Sequence, residues 1–442
     1  MELFGVLCAI LFGTVIAAIM ACLPALHIYN VAGLVLIFCY PMITTGAFPT
    51  SMLIAFMMSL IVAYSVLNTI PSIFLGAPDE SAVFITMPGN RALMLGKGYE
   101  AGMLTGIGSL GGLLFLLLFA LIAPKLLPKI REVCGPHMHW LLASILAFMV
   151  MSEWPKGENR EPTGWLRFWN AWKNLFAGLF TLLLSGILGF IVMYKPLMPV
   201  DVAFQNIMPA FVGLFAIPWV LQNLLSDTEP PPQYISKTVD INPRLFIRGS
   251  AAGFLGGLFA AIFPIITGGI GGLLAGHATA QRDDRLFIIS QGASKFVYYV
   301  GGFLLLFVPG ANRAKGGMSA MISSFYQPMG SYGDYYMAIA VVCLSTALSF
   351  YLLSLFSKGT IRLIQVVNYR IISAVTMVFI LIVVVFMAGW EGLVILAVSS
   401  GIGMVPVFFH SRRMNCMGVL LIPVTLNMAG YGPTVAGWLG LL

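Results

Sequence analysis

The chain has 442 residues, of which 59% are apolar and 9% charged. So few charges cannot cover a water-facing globular surface, so lipid is the solvent for most of this sequence. The net charge of +7 is not gathered into a patch but scattered through many short hydrophilic breaks, the pattern of membrane topology, and no nucleic-acid partner is expected.

The first apolar run, 3–23, follows Met1-Glu2 without a positively charged start or a clear cleavage site, and reads as a retained helix. Further runs cover 31–45, 50–70, 99–124, 137–152, 172–194, 203–225, 247–277, 286–308, 336–356, 371–388, 392–409 and 415–440. A span takes about 20 apolar residues, so the total allows about ten to twelve spans, some of them half-spans. Uninterrupted runs such as 336–356 lack the alternation of barrel strands. Backbone groups in hydrocarbon must then be satisfied within helices. The predicted fold class is all-α, a polytopic transmembrane helical protein. The six cysteines are scattered without a CxxC pair and read as packing residues.

Two hydrophilic breaks stand out, Ser152–Asn170 and Ser226–Arg248, the second carrying Pro230-Pro231-Pro232. The second divides the chain into a first transmembrane half (1–225), a connecting loop (226–246) and a second half (247–442). Basic residues near Lys125, Arg160, Lys237, Lys358 and Arg412 read as loop markers, but they fall in adjacent loops and define no orientation.

The halves share a pattern. Gly13 precedes Pro24 by eleven residues in GTVIAAIMACLPALHIYN, and Gly253 precedes Pro264 by eleven in GFLGGLFAAIFPIITGGI. A second ordered pair is MPGNRALMLGKG (Met87–Gly98) and VPGANRAKGG (Val308–Gly317). Pro24 and Pro264 sit in stretches too apolar to be surface loops, and proline both lacks an amide donor and collides with the preceding turn. Each predicts a broken helix, tolerated at membrane depth where the freed backbone lines a cavity or is buried in protein. Paired broken helices in secondary transporters offer amides and dipole ends to a substrate near the midplane. A kink that only shapes packing is the alternative for either proline alone.

Around these breaks lie His27 and Asn30 after Pro24, and Thr267, Gly268 and Gly269 after Pro264. Polar interhelical contact is the alternative role for His27. The stretch Asn68–Gly102 mixes charges with apolar flanks and is predicted to re-enter the membrane. Within it, Asp79 and Glu80 would hold a coupling cation or proton, since adjacent carboxylates resist joint ionisation; a solvated helix cap after Pro78 is the alternative. Asn90, Arg91, Asn312 and Arg313 belong to the paired motifs, and Arg91, Lys97, Arg313 and Lys315 would either neutralise an anion or mark loops. Gln281–Arg285 reads as a solvated turn. Lys295 lies deep in RLFIISQGASKFVYYVGG, where it must snorkel, pair or face a cavity. His137 and His139 make a weak metal signal, and Glu391 with Trp390 reads as an interfacial turn. No HExxH, nucleophile elbow, Walker loop or dinucleotide fingerprint appears, so no enzyme is expected.

At these residues the chain resembles the large membrane subunit of the tripartite tricarboxylate transporters, and more closely its stand-alone archaeal relatives. The resemblance rests on CLPALHIYN (Cys22–Asn30), IPSIFLGAPDE (Ile70–Glu80) with MPGNRALMLGKGYEA (Met87–Ala101), GFLGGLFAAIFPIITGGIGG (Gly253–Gly272) with RDDRLFIISQG (Arg282–Gly292), and RRMNCMGVLLIPVTL (Arg412–Leu426). It implies a two-half permease of the cell membrane whose proline hairpins enclose a site for di- or tricarboxylates, coupled to an ion gradient. Pro24, His27, Asn30, Pro264, Thr267, Gly268 and Gly269 would line that site. Two departures matter: Pro-Ile-Ile-Thr stands where a Pro-Gly pair is expected, and Ser294-Lys295 where small polar residues including Asn are expected.

The resulting expectation is a secondary transporter of an organic anion, with Lys295 added to the substrate-binding set. No metal or cofactor is expected beyond a coupling ion, sodium or proton. Partners would be the small anion, the bilayer, and a small membrane subunit or second copy of the chain. A translocase of an anionic lipid such as a polyprenyl phosphate and a non-transporting scaffold are the competing readings.

Overall fold

The computed structural model describes residues 2–24, 26–33, 35–36, 49–155, 164–195, 197, 205–226, 229–311, 315–323, 326–328 and 330–442. Among these, nine helices are long and apolar enough to cross a membrane, or ten if the pair Arg413–Met428 and Gly432–Trp438, bent by 118°, forms one span. Ten meets the lower end of the ten to twelve expected from apolar runs, and nine falls one short. No strand occurs among the described residues.

The chain forms two compact units, the larger chiefly from Met1–Arg131 and Val220–Ile380, the smaller from Glu132–Asp201, Gln205–Trp219 and Leu381–Leu442. Each unit therefore takes helices from both sides of the 226–246 connection. In the larger unit the first helix, Glu2–Ala21, packs on Thr50–Leu67, and both pack on the long helix Tyr332–Val366. A second group joins Gly98–Ala120, Pro243–Ile262 and Asp284–Phe296. Glycine makes their close approach feasible: a Cβ on Gly112 would stand 3.1 Å from the Ala293 carbonyl oxygen. In lipid, where helix association gains little from apolar burial, such backbone proximity is a main source of attraction.

Local sequence accounts for the helix boundaries. Asn242 caps Pro243–Ile262 by accepting from the Arg244 amide at 2.9 Å, with Pro243 at the first position, where no amide is needed. The Gln281–Arg285 cluster is more than a solvated turn. Asp283 caps Asp284–Phe296 by accepting from the Arg285 and Leu286 amides, Asp284 pairs with Arg91 at 2.8 Å, and Arg285 pairs with Glu100 at 3.0 Å. The connecting stretch is pinned to the same unit by Gln233, which donates to the Leu93 carbonyl and accepts from the Gly98 amide.

One loop assignment is corrected and one turn is located. Lys125, Lys129 and Arg131 lie on the helix Ala123–Cys134, whose apolar and basic residues separate onto opposite faces. Trp390 and Glu391 follow directly on Gly389 (φ 66°), the non-helical joint between two helices within Tyr369–Phe409, where a turn was expected.

In the smaller unit, Gly418–Met428 packs on Trp165–Tyr194 and on Met138–Met151. Glu153 is buried there and accepts from the Arg412 amide at 2.5 Å and the Asn415 side chain at 3.0 Å.

Candidate functional site

Both prolines interrupt their helices. The first helix ends at Ala21, the chain passes Pro24 in non-helical conformation, and helix resumes at Ile28. The second ends at Ile262, where Phe263 turns extended (ψ 135°), and helix resumes at Gly268 after Thr267 caps it. Between them Ile265 adopts φ 65°, a left-handed conformation rare for a β-branched residue. This is the position where the family resemblance leads one to expect glycine. The chain keeps the glycine-type turn and places isoleucine in it.

The carbonyls freed at the end of Pro243–Ile262 are taken up by Lys315, whose ammonium donates to the oxygens of Ala260 and Phe263. A cation there also opposes the negative end of the helix dipole. Lys315 thus holds a broken helix end, a role beyond the two weighed from sequence.

The third element is the Asn68–Gly102 stretch, which folds back into the larger unit. Thr50–Leu67 runs on into a π-helical turn, Pro71–Leu75, closed by Gly76 at φ 63°, after which Ala77-Pro78 leads to Asp79. Glu80, Ser81 and Ala82 are buried at 5% exposure or less before the chain leaves along Val83–Met94. The fourth element is Asp284–Phe296, with Lys295 in its last turn, followed by a second π-helical turn, Val297–Gly301, that carries Tyr298 and Tyr299. An extra residue per turn rotates the following side chains, and such turns recur at functional sites.

These four elements converge on two adjacent carboxylates. Asp79 Oδ2 accepts from Tyr64 (3.0 Å), Asn68 (2.6 Å) and Tyr299 (3.1 Å). Its Oδ1 accepts from the amides of Ser81 and Ala82 and from the Ser81 hydroxyl. Asp79 thus closes the turn ahead of the helix Val83–Met94, its oxygens bonded to protein groups. Glu80 Oε1 lies 3.3 Å from His27 Nε2 and 3.4 Å from the Tyr299 hydroxyl, whose single proton serves one carboxylate at a time. The Glu80 carbonyl accepts from the Thr267 hydroxyl at 3.3 Å. His27, just past the first proline break, and Thr267, just past the second, thus touch the same glutamate.

The His27 tautomer follows from its neighbours. The Tyr29 amide donates to Nδ1 at 3.2 Å, so in the neutral ring the proton sits on Nε2, facing Glu80. The rings of Tyr29 and Tyr64 pack on this imidazole, centroids 4.5 and 5.4 Å away. Ligand atoms of His27, Asp79 and Glu80 lie within 4.8 Å of one another, the spacing of a metal site. However, Nε2 would have to shed its proton to ligate, since Nδ1 is already an acceptor. The carboxylate and hydroxyl oxygens suit a proton or a hard cation better than a transition metal.

Lys295 is fully buried and donates to Asn68 Oδ1, so of the three fates open to it the chain has paired it. Ser294 donates to the Gly268 carbonyl at 2.7 Å, tying this helix to the second break. Asn30 is buried, with neither amide atom hydrogen-bonded to a described residue. Pro24 is buried and Pro264 half-buried at their breaks, and Gly268 and Gly269 are buried in the first turn of the resumed helix. Asn90 and Arg91 lie farther along Val83–Met94, Arg91 at the exposed ion pair with Asp284. Asn312 and Arg313 lie outside the described residues.

Sequence reading missed Tyr64, Asn68, Ser81 and Tyr299. The available signal was spacing: Tyr299 follows Lys295 by one helical turn, and Tyr64 and Asn68 share a face of one helix.

No solved structure matches the chain. An uncharacterized protein of Methanocaldococcus jannaschii is 24% identical over 423 residues, covering 94% of this chain and 97% of that protein. The model of the Tripartite tricarboxylate transporter TctA family matches residues 7–418. That match spans nearly the whole chain and agrees with its apolar helices, and the chain belongs to this family of transporter permeases as a multi-pass integral membrane protein.

Proposed function

We propose that the chain is a secondary transporter of an organic anion of the di- or tricarboxylate kind, driven by an ion gradient across the cell membrane and without enzymatic activity. One observation carries this reading: both proline breaks deliver unwound backbone to the same buried glutamate, His27 to its side chain and Thr267 to its carbonyl. The resumed helix Gly268–Ala278 starts beside Glu80, so its N-terminus, the positive end of its dipole, lies at the centre of this cluster. An incoming carboxylate meets the amides of Gly268 and Gly269 there, with Asn30 and His27 on the opposite break.

Charge supplies the coupling in this reading. With His27 neutral, Asp79 and Glu80 against Lys295 leave one excess negative charge, which repels an anion until a proton neutralises it. A small membrane subunit or a second copy of the chain would assist the exposure of this site to either side of the membrane. A second reading, a non-transporting scaffold, draws on the close packing at Gly269, where a Cβ would stand 3.0 Å from the Phe84 ring and the Ser81 carbonyl.

Uptake of labelled di- and tricarboxylates into liposomes, with and without a proton or sodium gradient, separates the two. Gradient-dependent uptake is the expected result; folded protein that takes up none of them would refute transport. Lys295→Met should weaken anion binding more than Lys358→Met, since Lys358 lies over the Tyr99 ring, at 5.7 Å, away from the chamber. Equal effects would remove Lys295 from the site.

A further inference from the structure

We infer that Lys295 is a tethered cation that takes, beside Asp79, the place a dissociable metal ion would otherwise fill, so that this chamber binds its anion without sodium. The inference rests on the transport reading for the word anion, but its charge argument stands on the chamber alone.

Two carboxylates adjacent in sequence and enclosed by protein cannot both remain ionised without a compensating charge. His27 does not supply it in the arrangement seen, because an imidazole whose Nδ1 accepts from the Tyr29 amide holds a proton on Nε2 alone. Lys295 does. Its side chain is fully buried, and its ammonium donates to Asn68 Oδ1 while Asn68 Nδ2 donates to Asp79 Oδ2 at 2.6 Å. The amide dipole of Asn68 is thus aligned between them, oxygen toward the cation and N–H toward the anion. An alkali ion at this point would seek the same oxygen donors. The ammonium already holds the Asn68 oxygen, and it cannot diffuse away. Its helix is anchored on both sides of it as well: Ser294 donates a hydrogen bond to the Gly268 carbonyl, and the π-helical turn after Phe296 carries Tyr299 onto Asp79.

The test reads cation dependence without substrate, so it does not depend on whether the protein transports. The thermal midpoint of the purified full-length protein is measured in sodium chloride and in choline chloride at equal ionic strength. The wild type should show the same midpoint in both. Lys295→Ala should fall by several degrees in choline and recover saturably with sodium or lithium, and Asp79→Asn/Lys295→Ala should regain stability and lose the cation response. A sodium-stabilised wild type would overturn the inference, as would a folded Lys295→Ala protein indifferent to alkali cations. If Lys295→Ala does not fold, the wild-type comparison still decides, and so does the double variant: one less stable than Asp79→Asn alone refutes the pairing. Should uptake assays fail while the cation results hold, only the transport reading falls. If Lys295→Ala loses anion binding that no cation restores, the lysine contacts the anion directly and the inference is wrong.

Discussion

Replacing Gly268 by alanine probes the joint that holds the second break in place. A Cβ there would stand 2.8 Å from Lys295 Cα, 3.0 Å from Tyr298 Cβ and 3.2 Å from the Ser294 carbonyl oxygen. Two of these neighbours are backbone atoms and the third is fixed to backbone, so none can swing aside. Ordinary carbon contacts begin near 3.5 Å, so the resumed helix must retreat by roughly 0.7 Å or more. That retreat stretches the Ser294 bond to the Gly268 carbonyl and the already long Thr267 bond to Glu80. Overpacking of this kind costs about 1–3 kcal/mol, and the better helix propensity of alanine returns at most about 1 kcal/mol. The expected net loss is about 1–2 kcal/mol in stability, with weaker anion binding because the Gly268 and Gly269 amides move. Thermal unfolding and equilibrium anion binding measure the two effects. Gly359→Ala is the control, on the helix Tyr332–Val366 with nothing within 4 Å of the added carbon, and it should stabilise by up to about 1 kcal/mol. A Gly268→Ala protein as stable as wild type and equally tight for the anion would show that the two helices do not meet as described.

Ile265→Gly should stay within about 1 kcal/mol of wild type although it deletes a half-buried side chain, because it relieves a left-handed strain of about 1–2 kcal/mol. A loss above about 3 kcal/mol would place this residue outside the left-handed region. Lys315→Met removes the donors from the carbonyls of Ala260 and Phe263 and should cost about 1–3 kcal/mol in thermal unfolding, while Lys315→Arg retains part of it. Full stability of the methionine variant would show that those carbonyls are satisfied another way.

What the sequence made legible were features that break a local rule. Proline in apolar runs announced both helix interruptions, since each removes an amide donor and crowds the preceding turn, and IPSIFLGAPDE showed charge where lipid should be. Lys295 stood out because a buried ammonium needs a partner, though which partner was invisible: Asn68 is 227 residues away. Tyr64, Asn68 and Tyr299 escaped notice because hydroxyls and amides are common on membrane helices and their direction depends on register. The π-helical turns at Pro71–Leu75 and Val297–Gly301 shift that register, and no periodicity argument built on 3.6 residues anticipates them. The burial of Glu153 was hidden likewise, because its donors at Arg412 and Asn415 come from the far end of the chain, whereas Ser152–Asn170 reads locally as a hydrophilic break.

Transport in this form requires the two interrupted helices to enclose one anion-binding chamber beside Glu80. An experimental structure of the protein with a bromine-labelled dicarboxylate, read by the anomalous signal of the bromine, would locate the ligand directly. The peak is expected between the Gly268 and Gly269 amides and the His27–Asn30 turn. A peak elsewhere, or helices running unbroken through Pro24 and Pro264, would contradict this arrangement.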